Sequence, residues 1–197
     1  MISDHSRIIG VDYGSKLAGT TCIAHLIKSK LYVTQSEVKG DADEWLKTYI
    51  NDNAIKIVFL DAPLSLPAAF QGRGDDFMYR KGDREVQAMS PMFLGGLTAR
   101  AMKLKHELNK SNIDVIEVYP GGFIKTSTAL KDHYHKKDKT SIPKFMELLY
   151  SIFKLDITTP ITNYHQVDSI LALLIGLKYI DGIAASLGDE EEGLIWI

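Results

Sequence analysis

Four acids in this sequence end apolar runs or open a helix, and acids so placed suit metal-assisted chemistry. Asp12 follows Ile8-Ile9-Gly10-Val11, Asp61 follows Ile57-Val58-Phe59-Leu60, Glu117 closes the run that begins at Ile113, and Asp168 lies within "HQVDSILALLIG". Side chains alternate along a strand, so Ile8, Gly10 and Asp12 share a face, as do Ile57, Phe59 and Asp61, and likewise Ile113, Val115 and Glu117. An ionised carboxylate at the end of a buried strand needs hydrogen bonds, a cation or a proton. Several together repel one another and raise their pKa values, a conflict that a hard divalent cation removes. Carboxylates with open water positions suit Mg²⁺ or Mn²⁺. Two such ions about 4 Å apart activate a water and stabilise the leaving oxygen of a phosphodiester. Each acid also has a plainer use. Asp168 suits a helix N-terminus through the macrodipole, Asp61 before Ala-Pro suits a turn, and Glu117 suits a surface lysine if its strand lies at the sheet edge.

Three of these acids converge only if their strands lie parallel, and the order of elements predicts that. Residues 8–12, 20–27 and 31–36 read as a three-stranded antiparallel meander with short polar connections. Residues 42–50 are helical, with Trp45, Leu46, Tyr49 and Ile50 on one face and Asp41 as N-cap. The continuous apolar run 57–60 reads as a strand buried on both faces of a parallel sheet. Residues 97–109 read as a helix and 113–119 as the next strand, stopped by Pro120-Gly121-Gly122. Helices follow at 143–153 and at 165–182, the last closed by Gly182. The crossover helices require the first strand and the two later ones to be parallel, which brings their C-terminal ends together. In the last helix, Ala172 and Gly176 stack above Asp168, and their small size allows a close approach to the sheet. The expected fold class is therefore α/β: a mixed five-stranded sheet, three antiparallel strands then two parallel, flanked by helices. The tail from residue 192 either adds a short edge strand or docks Trp196.

Bulk properties bound the rest. A chain of 197 residues with 45% apolar content suits one domain, 1–197, interrupted by a long loop insertion at about 62–92 rich in proline, glycine and charge. A net charge of −2, from 23 basic and 25 acidic residues, argues against coating nucleic acid or an anionic membrane by bulk electrostatics. Cys22 is the only cysteine, reads as a buried inert thiol, and excludes an internal disulfide framework. No apolar stretch approaches the roughly 18 residues of a membrane span, and no basic and apolar leader opens the chain, so a cytoplasmic location is expected.

Together "GVDYGSKLAG", "IVFLDAPLSLP" and "HQVDSILALLIG" resemble the ribonuclease H-like superfamily, in particular its Holliday-junction resolvase-like branch. The blocks "YRKGDREVQ", "GGLTARAMKLKHEL", "VIEVYPGG" and "EEEGLIWI" extend this to an uncharacterised predicted-nuclease family of bacteria and archaea, over nearly the whole chain from Ile8 to Ile197. The resemblance implies Asp12, Asp61 and Asp168 as ligands of two Mg²⁺ or Mn²⁺ ions, with Glu117 as a fourth acid. It also matches Arg80, Asp83 and Arg84 to an Arg-x-x-Asp-Arg pattern, Gly82 standing where a small residue or cysteine is expected.

An arginine there can clamp a phosphate through its bidentate fork; the alternative is an internal ion pair, Arg80 to Asp83 or Arg84 to Glu85. His165, one turn before Asp168, can orient a water or a ligand carboxylate, or simply cap the helix. The run "DHYHKKDK" within 131–140 can track a nucleic-acid backbone or be a solvated basic loop. The implied function is a metal-dependent nuclease acting on DNA or RNA. A non-catalytic nucleic-acid, nucleotide or protein binding module on the same fold is the alternative. Asp12-Tyr13-Gly14-Ser15 also matches the phosphate turn of actin-like nucleotide hydrolases, which need a second such domain.

Overall fold

The computed structural model describes residues 5–197. Strands β1 (Ile8–Asp12), β2 (Cys22–Ile27) and β3 (Lys30–Gln35) form the antiparallel meander. Its second connection is a two-residue turn with Lys28 and Ser29 both at positive φ, the primed geometry that matches strand twist. Helix α1 (Ala42–Asp52) is capped by Asp41, which accepts from the backbone N–H groups of Asp43 and Glu44. It leads into β4 (Ile57–Asp61), which pairs parallel with β1, Asp12 directly beside Asp61.

Within the expected loop the chain forms two short helices, α2 (Lys81–Val86) and α3 (Pro91–Leu94), before α4 (Gly96–Asn109). Strand β5 (Asp114–Glu117) then pairs parallel with β4. Pro120-Gly121-Gly122 does more than stop this strand, because Pro120 opens helix α5 (Pro120–Thr126), where its missing N–H costs nothing. After α6 (Ile142–Phe153), strand β6 (Asp156–Ile157) pairs parallel with β3.

The fold is thus α/β around a mixed central sheet flanked by helices, and the expected five strands are six, in the order β5-β4-β1-β2-β3-β6. The sixth escaped detection because it contributes two residues, too few for any alternation to show. Helix α7 (Tyr164–Ile180) and a terminal hairpin, β7 (Ser186–Leu187) with β8 (Ile195–Trp196), complete the chain. The tail strand belongs to this separate hairpin rather than to the edge of the central sheet, which it touches only by a backbone bridge from Trp196 to Val118, while the Trp196 ring docks edge-on against Tyr179 at 4.8 Å. No helix among the described residues is long and apolar enough to cross a membrane.

Two apolar layers sandwich the sheet. Ile8, Ala24, Leu31, Ile57 and Phe59 pack with α5, α6 and α7. Ile9, Val11, Ile23, Val58 and Leu60 pack with α1 and α4 on the other side. Helix α7 is buried along most of its length from Tyr164 to Gly176, and it lies directly on β1 because Gly10 has no side chain. A Cβ there would stand 2.1 Å from the Leu173 nitrogen and 2.4 Å from the Ser169 oxygen, both backbone atoms. Gly176 serves the same purpose against the Phe59 ring, as the small-residue stack on this helix predicts. Gly10→Ala should therefore lower stability by about 3 kcal/mol, the upper end of overpacking costs, since a helix backbone yields less than a side chain. Urea unfolding with an unchanged slope and a lowered midpoint checks it; a midpoint within error of the parent refutes the close-contact account.

Candidate functional site

Asp12 and Asp61 end adjacent parallel strands on the face covered by α7, and Asp168 descends on them from that helix. The helix starts one residue earlier than expected. Asn163 is its N-cap, accepting from the Gln166 N–H at 3.1 Å, while Gln166 Oε1 accepts from the Thr162 N–H at 2.7 Å. This tie resembles a capping box but reaches back to the residue before the N-cap rather than to the N-cap N–H. It sets the first turn, and with Gly10 it fixes how close Asp168 comes. Each of the three acids offers one carboxylate oxygen, and these oxygens all lie within 4.8 Å of one another.

The charges are unevenly compensated. Asp12 Oδ2 lies 2.8 Å from His165 Nδ1, whose pKa is raised by that hydrogen bond. Asp168 accepts from the Tyr134 hydroxyl and pairs with Lys136 Nζ at 2.6 Å. Burial nevertheless pushes Asp168 up to about 6, with Lys136 opposing and the charge of Asp12 adding. Asp61 has no hydrogen-bond donor or ion-pair partner among the described residues. Burial first, then the charges of Asp12 and Asp168, hold its pKa well above the usual carboxylate range. Cys22, in register with Asp12, is the buried thiol expected, and burial with the neighbouring acids pushes it far up, which keeps it protonated and inert.

Glu117 does not join this group. It pairs across the sheet with Leu60, and Asp61 is one residue further on, so Glu117 points to the opposite face from Asp61. There its two oxygens accept from Arg80 at 2.7 and 2.6 Å, and one of them also accepts from the Leu64 N–H at 2.8 Å. Arg80 is 1% exposed, and its remaining donors go to Asp83 at 3.0 and 2.7 Å and to Ser65 at 2.8 Å. All five guanidinium N–H groups are thereby used, leaving none for a phosphate. The alternative of an internal Arg80–Asp83 pair is the one observed, buried rather than solvated, with Glu117 as the third member. Arg84 is exposed and pairs with Asp76 at 2.8 Å, not with Glu85. Gly82 is small for a packing reason, since a Cβ would meet Ile195 Cδ1 at 3.1 Å and the Leu187 oxygen at 3.2 Å.

Three contributors were not foreseen from the sequence. Tyr134 and Lys136 come from the basic segment 131–140, and they meet Asp168 across 34 and 32 positions. The only available signal was their i, i+2 spacing, which places both on one side of an extended segment. Arg100 on α4 ties the turn after β1 to α1. It donates to Asp43 at 2.6 and 3.0 Å and to the Gly14 carbonyl at 3.1 Å, and it stacks 4.8 Å from the Tyr13 ring centroid. The turn that leaves Asp12 is therefore anchored from the other side of the sheet.

No family model and no curated protein matches the chain. The site must be read on its own chemistry. The donor set is three hard carboxylate oxygens from three separate elements, the kind that hold Mg²⁺ or Mn²⁺ while leaving positions for water. Asp61 supplies the fit, because among the described residues it is the acid of the three without an ion-pair partner. Asp61 also lines a cavity of about 260 Å³ walled by Tyr13, Pro63, Leu97 and Tyr119 and floored by the Arg80–Glu117 pair, whereas Asp12 and Asp168 do not reach it.

Proposed function

We propose that this protein is a metal-dependent nuclease of ribonuclease H-like fold. The meander followed by two parallel crossovers, with a late helix carrying an acid to two strand-end acids, supports the fold assignment. The observation that carries the activity is the convergence of Asp12, Asp61 and Asp168, with Asp61 unpartnered among the described residues. These three residues would hold Mg²⁺ or Mn²⁺, which when bound supply an activated water and stabilise the leaving oxygen of a phosphodiester. The chain's own residues prepare the place. His165 fixes the orientation of Asp12, Tyr134 fixes that of Asp168, and the apolar wall of Tyr13, Pro63 and Leu97 limits water beside Asp61. Glu117, Arg80 and Asp83 act structurally, as the prop under the strand ends.

Branched DNA, single-stranded DNA and an RNA–DNA hybrid should be incubated with the protein and Mn²⁺ or Mg²⁺, with Asp12→Asn as control. Cleavage of at least one substrate that requires the metal and disappears in the variant is expected. No cleavage of any of them, or cleavage indifferent to Asp12→Asn, excludes the nuclease.

A further inference from the structure

Asp168 is 2% exposed and has two partners of different kinds. Tyr134 is rigid: its ring packs edge-on against Tyr164 at 5.1 Å and tilted against Phe145 at 5.4 Å, and the Tyr164 hydroxyl accepts the next backbone N–H, that of His135, at 2.9 Å. A neutral phenol so fixed can keep donating to Asp168 whatever else binds there. Lys136 is the opposite. Its side chain is 54% exposed, its long stem is flexible, and its ammonium touches Asp168 Oδ2 at 2.6 Å while the charges of Asp61 and Asp12 also act on it. The same carboxylate would serve a cation held by the three acids, and a divalent ion repels an ammonium at that distance more strongly than it repels any neutral donor.

We propose that Lys136 is a displaceable counter-ion of the acid cluster: a divalent cation takes its place at Asp168, and the displaced ammonium then binds the substrate phosphate. This rests on the metal-dependent reading above. Charge dictates the sequence of events. Three carboxylates need at least one positive charge nearby, and Lys136 supplies it. Once divalent ions neutralise the acids, the ammonium is in surplus there and turns outward, where a phosphate is the available anion. Tyr134, two residues away and anchored, keeps the freed ammonium within a side-chain length of the site. Lys137 on the same open rim adds a second basic group facing solvent.

The test compares the parent, Lys136→Gln and Lys136→Arg. Mn²⁺ titration by calorimetry should show roughly tenfold tighter binding for Lys136→Gln, the cost of displacing the ammonium having gone, and near-parental binding for Lys136→Arg. Thermal unfolding in chelator should show Lys136→Gln melting below the parent, and saturating Mn²⁺ should close that gap. A single-stranded oligonucleotide in Ca²⁺, followed by anisotropy, should bind several-fold more weakly to Lys136→Gln despite its stronger hold on metal, and Lys136→Arg should restore the affinity. Equal or weaker Mn²⁺ binding by Lys136→Gln, or a melting gap indifferent to Mn²⁺, overturns the counter-ion role. Unchanged oligonucleotide affinity overturns the phosphate contact. Failure of every form to bind Mn²⁺ overturns the metal reading itself and this inference with it, an outcome distinct from equal binding by all three.

Discussion

Asp61→Asn is expected to make the protein more stable and inactive at the same time. In the parent, the partly exposed Asp61 carboxylate sits between Asp12 and Asp168 with no donor of its own among the described residues. An amide of the same shape removes the charge and brings N–H groups that neighbouring carboxylates accept. The gain should be about 1 kcal/mol in chelator at pH 8, the low end of the penalty of an unsatisfied polar group, because solvent reaches Asp61 in part. For a chain of this size that raises the melting temperature by roughly 2–4 °C. The loss of a metal ligand costs several kcal/mol of transition-state stabilisation, so cleavage should fall by about 10³-fold or more. Differential scanning calorimetry and a cleavage time course read the two effects. A loss of stability would mean that Asp61 is a structural acid with an unrecognised partner, and it would remove the main support for the metal site.

The pH dependence follows with a definite sign. The folded pKa of Asp168, about 6, lies above its ordinary 3.8, so folding favours the protonated form. That contribution is complete below about pH 4 and is lost as pH rises through 6; Asp61 is raised too and acts in the same direction. In chelator, these two groups make the protein lose stability as pH rises from about 4 through 6, and Asp61→Asn should flatten that slope. Saturating Mn²⁺ should reverse it, because cations and protons compete for the same oxygens.

The placement of Asp12 and Asp61 was legible because both strands have an odd number of residues with the acid at the end of the same alternating face. The parallel pairing then set them side by side. Glu117 obeyed the same alternation within its own strand and still points the other way, since alternation fixes which residues share a face but not which face of the sheet that is. Register decides it, and register depends on the whole crossover from β4 through α4 to β5. The closeness of α7 was half-visible: Ala172 and Gly176 are on the helix, whereas Gly10, which removes the tightest clash, reads as an ordinary strand glycine. Lys136 and Tyr134 were out of reach because only tertiary packing brings the basic segment over Asp168.

Arg80→Met should destabilise the protein by about 3–5 kcal/mol, the cost of stranding buried charges without their counter-ion. Asp83 and Glu117 are 1% and 8% exposed, and Arg80 is the cation between them. Burial raises the pKa of Glu117 and Arg80 opposes that rise, so without the arginine Glu117 should take up a proton at a higher pH. Adding Glu117→Leu to Arg80→Met should recover part of the loss, because an apolar pair of similar bulk replaces two of the charges. Recovery stays incomplete, since the Leu64 N–H loses its acceptor and Asp83 remains unpaired. Urea unfolding of the two variants measures both steps. If Arg80 were instead a phosphate ligand, Arg80→Met would leave the midpoint nearly unchanged and weaken oligonucleotide binding. The five filled donors of its guanidinium argue for the first result, and they make this residue, so prominent as a motif, the support on which the strand-end acids stand.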